Sequence, residues 1–517
     1  MKTPPLTSLP TQSTLVVLLL FLMATWMGCS PSTLEDVDPA TTGTSVVIDS
    51  TTTSAATPEG NQGRAANEED LLANSTFSTT VTITFGSTVS ISNPLAGSGV
   101  AITETNGDVV INATATGVAY ELSGTSTNGS VKIYSDKKFK LTLNGLTLTN
   151  TDGPAINIQS GKRVFVVLAD NTTNTLTDGA SYTASGSEDM KGTFFSEGQL
   201  IFSGNGSLSV KANYRHGICS DDYVRVISGN ITVTGAVKDA IHTNDAFIAD
   251  GGTLTLTASD DGIQCEEGYM VINEGTFTIN VAGKGIAATY DTDATIDPYV
   301  TVNGGTFTIN SSGGEGIESK SILTINNGTF VIKTADDAIN AGKFIYINGG
   351  SIYAHSTSND GIDSNGPLTI TGGRVVAVGA NAPEAGIDCD RSTFKVTGGT
   401  LLGIGGSTSS PTASVSTQPA VILGGGSASQ VLHIQASDGT EALTFLIPKN
   451  YSTLLFSSPK LKSNQTYRVY TGGSVANGRD FNGLYLSGTY TVGTVTATSF
   501  TTSSMVTTVG GSTGPGR

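Results

Sequence analysis

The stretch "ADDAIN" (335–340) sets two carboxylates beside a small residue, an isoleucine and a polar residue. Variants stand on either side: "VKDAIH" (237–242), "SDDGIQ" (259–264), "GEGIES" (314–319) and "NDGIDS" (359–364). Aligned on the isoleucine they give Ile218, Ile241, Ile263, Ile286, Ile317, Ile339, Ile362 and Ile387, spaced by 22 or 23 residues apart from steps of 31 and 25. Each unit also carries a turn signal followed by a short alternating strand, as in "NEGTFTIN" (273–280), "NGGTFTIN" (303–310) and "NNGTFVIK" (326–333). Several short strands per unit at a fixed period mark a solenoid. The Leu-x-x-Leu-x-Leu frame of leucine-rich repeats and the calcium-binding nonapeptide are both absent. The spacing therefore predicts an all-β fold, a right-handed parallel β-helix with one unit of 22–23 residues per coil.

In such a stack equivalent residues lie about 4.8 Å apart, the interstrand distance. The isoleucines then form an internal ladder. Two residues further on, every unit has a small residue, Cys265 and Cys389 among them, which places both thiols in the core and five coils apart. That is too far for a disulfide. The positions flanking each isoleucine bring Asp239, Asp261, Glu315, Asp337 and Asp360 into one column, and Glu318, Asp363 and Asp388 into another, with Asp260 and Asp336 beside them. Two carboxylates about 4.8 Å apart repel by about 1 kcal/mol in water and about 3.5 kcal/mol at an effective dielectric of 20. A column of them calls for a counter-ion, and many hard oxygen donors suit calcium, several ions in all. Asp in a turn also caps its own backbone, which explains any one coil. It does not explain Glu315 and Glu318, poor turn formers that keep the register. His216 and His242 fall on the same columns, but no histidine pair has helical metal spacing.

The chain of 517 residues has 64 glycines and only 13% charged residues, against roughly 25% in an average globular domain. Its net charge of −17 excludes a nucleic-acid partner, whose phosphates need a basic surface. After Lys2, the apolar run "LVVLLLFLMATWMG" (15–28) and then Cys29 read as residues 1–29, a signal peptide of lipoprotein type with Cys29 as the lipid-attachment site. Trp26 stands where that motif usually has a leucine-like residue, and a plain secretory signal is the alternative. Residues 30–75, polar, acidic and low in complexity, read as a disordered tether. The remaining divisions are an N-terminal β region with the first coils (76–199), the parallel β-helix with acidic ladders (200–410) and a β-rich cap (411–517). An exported protein follows: an outer-membrane or cell-surface lipoprotein that meets the membrane through its anchor, otherwise secreted or periplasmic.

The stretches "YELSGT" (120–125), "LTLNGLTLTNTDGPAINI" (141–158), "HGICSDDYVRVISGNITVTGAVKDAIHTND" (216–245), the later acid-Gly-Ile coils and "TYRVYTGGS" (466–474) occur in an order that resembles a family of secreted bacterial carbohydrate-binding β-helix proteins. The likeness runs from about residue 76 to 510, and its strength lies in the order of loose motifs. It implies a pectate-lyase-like fold, calcium between coils, and binding of acidic plant polysaccharide of the polygalacturonate type, with cellulose a further ligand. Lys284 departs from the pattern, since neighbouring coils have an acid there.

Three functions fit. The first is calcium-dependent, non-catalytic binding of a polysaccharide, anionic in preference to neutral. The lone tryptophan, Trp26, lies in the leader, so stacking on neutral rings would fall to tyrosines such as Tyr290 and Tyr299, with Lys284 as a cationic contact. The second is a polysaccharide lyase acting by β-elimination, with Lys284 as its catalytic base. Carboxylate neighbours raise a lysine's pKa, which favours an ion-pairing role instead. The third is a structural adhesin.

Overall fold

The computed structural model describes residues 35–36, 43–50, 54–290, 292–493 and 498–514. The leader 1–29 with Cys29 lies outside these residues. The body is a parallel β-solenoid, and among the described residues there is no α-helix.

One coil illustrates the rest. Ile339–Ala341, Phe344–Ile347 and Ser351–Ser356 form its three strands. Each pairs in parallel with its counterpart in the coil before, Ile317–Ser319, Ile322–Ile325 and Thr329–Thr334. The first strands together make a 13-stranded sheet that begins with the antiparallel pair Val100–Thr105 and Asp108–Ala113. Along it the eight isoleucines pair in the order read from the sequence, from Ile218 with Ile241 through Ile362 with Ile387. All eight are fully buried. Parallel pairing starts at Thr79–Phe85, which pairs with residues 118–124 of the following coil, well ahead of the acidic ladders.

The alternating strands follow physical necessity too. Phe277, Phe307 and Phe330 stack at 4.8 and 4.6 Å between ring centroids, the interstrand spacing itself. Gly275, Gly305 and Gly328 have φ of +129°, +104° and +127°, values that explain the glycine of each turn signal. The residue before each isoleucine is small for another reason. A Cβ on Gly262 or Gly285 would lie 2.4 Å from the carbonyl oxygen of the next coil. Cys219, Cys265 and Cys389 are buried free thiols.

The last coil is closed by antiparallel strands. Tyr451–Ser457 pairs with both Thr400–Gly405 and Ala420–Gly426, and Ile422 and Leu455 join the solenoid core. An eight-stranded antiparallel sheet packs beside it, its residues Ile434, Leu443 and Phe445 sharing a core with Tyr353, Val376 and Val378 of the coils. Ser45–Asp49, near the start of the chain, pairs in this sheet with Leu484–Thr491.

Residues 54–75 correct the expectation of a disordered tether over 30–75. They run down the solenoid as a strap, fixed coil by coil. The Nδ2 groups of Asn348, Asn326, Asn303 and Asn273 donate to the carbonyls of Glu59, Asn61, Gly63 and Arg64 at 2.7–2.9 Å. The same amides donate to one another's Oδ1 along the stack at 2.8 Å, as Asn348 does to Asn326 and Asn326 to Asn303. The strap ends at Asp70, fully buried, which binds Arg163 Nε at 2.8 Å, Arg225 Nη1 at 3.1 Å and the Tyr223 hydroxyl at 2.7 Å.

Candidate functional site

Because the first strands hold register over the whole stack, the residues flanking each isoleucine form continuous rows on one face. Among the described residues two groups of three carboxylates converge, Asp239 with Asp260 and Asp261, and Asp360 with Asp363 and Asp388, each member offering an oxygen within 4.8 Å of the other two. Two donors about 2.4 Å from a common ion lie at most about 4.8 Å apart, and the three oxygens of Asp360, Asp363 and Asp388 meet that first requirement for sharing one calcium-sized ion. Hydrogen bonds orient these three carboxylates. Asp360 accepts from the Ala385 backbone N–H, Asp363 from Asn340 Nδ2 at 2.9 Å, and Asp388 from the Ser409 hydroxyl at 2.6 Å.

The electrostatics of this cluster are those of a site short of positive charge. Burial, then repulsion from Asp363 and Asp388, pushes the Asp360 carboxyl up to about 8. Burial and Asp363 do the same for Asp337, also to about 8, and burial and Asp388 raise Asp363 to about 7. Such groups either bind a proton at neutral pH or face a cation. Three carboxylates with a maximum of six oxygens suit a hard ion such as calcium.

In the sequence four acids of adjacent coils meet, Asp336, Asp337, Asp360 and Asp363, and calcium is expected most firmly there. Asp337 adjoins the cluster, accepting from the Asp360 N–H at 2.9 Å and Asn340 Nδ2 at 3.2 Å. Asp336 turns to Asn359, whose Nδ2 donates to it at 2.6 Å. Asp388, from the following coil, takes its place in the tight group.

Further along the face, salt bridges replace this pattern. Glu318, 1% exposed as a side chain, lies between the ammonium groups of Lys284 and Lys320. Glu315 is 3.8 Å from Lys284 Nζ. Asp261 is met by the Lys284 backbone N–H at 2.6 Å, not by its ammonium, and burial raises its carboxyl to about 7. Asp260 pairs with Lys238 at 3.0 Å. For Lys284, burial opposes the charge but Glu318 and Glu315 outweigh it, and its pKa is raised. A lysine so held stays protonated as a counter-ion and has no free lone pair with which to take the C5 proton of a uronate.

At the near end of the rows stand His216, Asp239 and His242. Asp239 Oδ2 lies 3.2 Å from His216 Nδ1 and 2.8 Å from His242 Nδ1, and the rings stack at 4.2 Å. Sequence reasoning saw both histidines on the columns but gave them no role, because their 26-residue separation matches no familiar ligand spacing. Stacking of coils, not local spacing, joins them.

The two tyrosines separate. Tyr290 follows the acidic face and is 42% exposed. Tyr299 belongs to the second strand of its coil and stacks on Tyr269 at 4.9 Å, with planes 8° apart. Rings stacked on each other offer a ligand their edges, so Tyr299 is not a platform for a sugar face.

Fold and site together define a parallel β-solenoid with a carboxylate-lined face. A family model described as carbohydrate-binding domain-containing protein matches residues 105–361. A curated relative of the same description, from Acetivibrio thermocellus, is 36% identical over 118 residues, 22% of this chain and 41% of the relative. The match thus spans less than half the relative's length. Among solved structures, the gadolinium derivative of the polysaccharide lyase-like protein from C. thermocellum is similar at 24% identity and a TM-score of 0.36, covering 57% of this chain and 100% of that one.

Proposed function

We propose that this protein binds polysaccharide without cleaving it, through calcium ions held on the acidic face, and prefers anionic chains to neutral ones. The convergence of Asp360, Asp363 and Asp388 within 4.8 Å carries this reading. A calcium ion there would keep part of its coordination open to solvent, and a uronate carboxylate is a hard oxygen ligand able to fill it. With a net charge of −17, the protein needs such a bridge to hold an anion. The carbohydrate-binding relatives support the ligand class. The ion pairs of Lys284 support binding over elimination. Lipid attachment at Cys29 belongs to the same reading, since an anchor would hold the binding face at a cell surface. Mass spectrometry of the mature N-terminus tests it.

The decisive experiment is a glycan array probed with calcium and with chelator. Calcium-dependent binding to polygalacturonate, with no unsaturated product in its ultraviolet absorbance, is the expected result. Equal binding in chelator, or none to any glycan, would refute the proposal, the latter in favour of a structural adhesin.

A further inference from the structure

The strands His216–Ser220 and Ile241–Thr243 place nitrogen donors where later coils place oxygen. His216 stands in the column of Asp239 and Asp261, and His242 in the column of Asp363 and Asp388. The coil repeat therefore brings two imidazoles and the Asp239 carboxylate to one point, with one ligand atom of each within 4.8 Å of the other two. Donors around a zinc-sized ion, about 2.0–2.2 Å from the metal, lie at most about 4.2 Å apart. In the tetrahedral arrangement they stand about 3.4 Å apart, and Asp239 Oδ2 is already 3.2 Å from His216 Nδ1 and 2.8 Å from His242 Nδ1.

The surroundings of the rings leave polar atoms unmatched. His216 is 3% exposed, yet its Nε2 has no hydrogen-bond partner. Gln264 Oε1 is likewise buried and unpartnered, and both residues line one cleft beside Asp239 and His242. Two buried polar atoms without partners beside one cluster are costly. The carboxylate is also oriented, its Oδ1 accepting from the Asp261 N–H at 3.2 Å while Oδ2 faces both rings. Behind His242, Glu266 Oε2 lies 3.2 Å from Nε2, the outer partner that fixes a ligating ring.

We propose that His216, Asp239 and His242 form a three-ligand site for a divalent first-row transition ion of the Zn²⁺ type, separate from the oxygen-rich cluster and with an open position facing the cleft. Imidazole suits zinc, copper and nickel, whereas calcium takes oxygen. Three protein ligands leave a fourth position for water or an anion. Lys191, Arg215 and Lys238 line the same cleft and favour an anionic fourth ligand.

The alternative is a charge clamp, in which His242 donates protons to Asp239 and Glu266 and no metal enters. Chelator-stripped mature protein without a histidine tag distinguishes the two. Zn²⁺ titrated by calorimetry should bind at one site that excess Ca²⁺ does not clear. Cu²⁺ at one equivalent should show nitrogen couplings of two imidazoles in its electron paramagnetic resonance spectrum. His216→Gln and His242→Gln should each weaken zinc binding by about 100-fold, and Glu266→Gln by about tenfold, the range for outer partners. Absence of zinc binding at micromolar protein, a copper spectrum with oxygen ligands alone, or unchanged affinity in both histidine variants would each overturn the site. Should the variants fail to fold, the wild-type copper spectrum decides.

Discussion

The ammonium of Lys284 is bonded to Glu318, a buried carboxylate one coil further along the same face. Lys284 stands at the position where other coils repeat an acid, so a covalently attached cation meets the carboxylates of this part of the face. Glu318 keeps Lys320 when Lys284 is removed, so the loss is partial. Lys284→Ala should lower stability by about 1–3 kcal/mol, below the cost of stripping a buried pair entirely. Neither wild type nor variant should release unsaturated product from polygalacturonate. Lys284→Asp, by contrast, should make the melting temperature more dependent on calcium. A normally stable Lys284→Ala protein that has lost a measurable wild-type lyase activity would reverse the assignment.

The strap makes a separate prediction. Asp70 is fully buried and bonded to Arg163 and Arg225, so its removal takes one carboxylate from each guanidinium and leaves Arg163 with Glu69 and Arg225 with Asp250. Asp70→Ala should cost less than the about 3–5 kcal/mol of stripping a buried pair entirely, because each guanidinium keeps one carboxylate. It should also raise protease cleavage within residues 54–75, because the strap's anchor is gone while its asparagine contacts remain. An unchanged digestion pattern would show that the amides of Asn273, Asn303, Asn326 and Asn348 suffice to hold it.

These two features differ in how far the sequence revealed them. The isoleucine register was legible in full, since burial of one side chain per coil forces a period that survives in the residues themselves. The row of acids was legible for the same reason, and the choice of Asp388 over Asp336 was not. That choice depends on a hydrogen bond from Asn359, which turns Asp336 aside. The strap was misread because its polar composition is that of a disordered segment. Its order comes from amides more than 200 residues away, and a local reading contains nothing of them. Their asparagines were visible only as turn formers. The pairing of His216 with His242 was hidden likewise by a contact that exists only between coils.

Tyr290 and Tyr299 should part in experiment as they do in space. Tyr290 is exposed near the acidic face and has a free ring, so Tyr290→Ala should weaken polysaccharide binding by roughly 2- to 10-fold, on the order of 1 kcal/mol for an aromatic contact. Its melting temperature should hardly move. Tyr299→Ala breaks the stack on Tyr269 and should lower stability while leaving affinity unchanged. Affinity electrophoresis in gels containing polygalacturonate, beside thermal melts, reads both effects. The opposite assignment of effects would place the sugar on the other face.

The acidic cluster links calcium, proton and stability. Asp337 and Asp360 have folded values of about 8 and Asp363 about 7, against about 3.9 in an unfolded chain. The folded protein therefore binds more protons than the unfolded one between these values. Without metal, stability is greatest below about pH 4 as far as these groups decide it, and is lost as pH rises toward about 8. Calcium bound there would reverse the slope, because its ligands would be the ionised carboxylates and an ion bound only by the folded state stabilises it. In chelator, melting temperature should thus fall from about pH 5 to about pH 8, and the gain on adding calcium should be larger at the higher pH. Asp363→Asn removes one charge from the group. It should be more stable than wild type in chelator at about pH 8, where repulsion is strongest, and should gain less from calcium. Melting that ignores both chelator and this substitution would mean that the three carboxylates share protons and hold no ion.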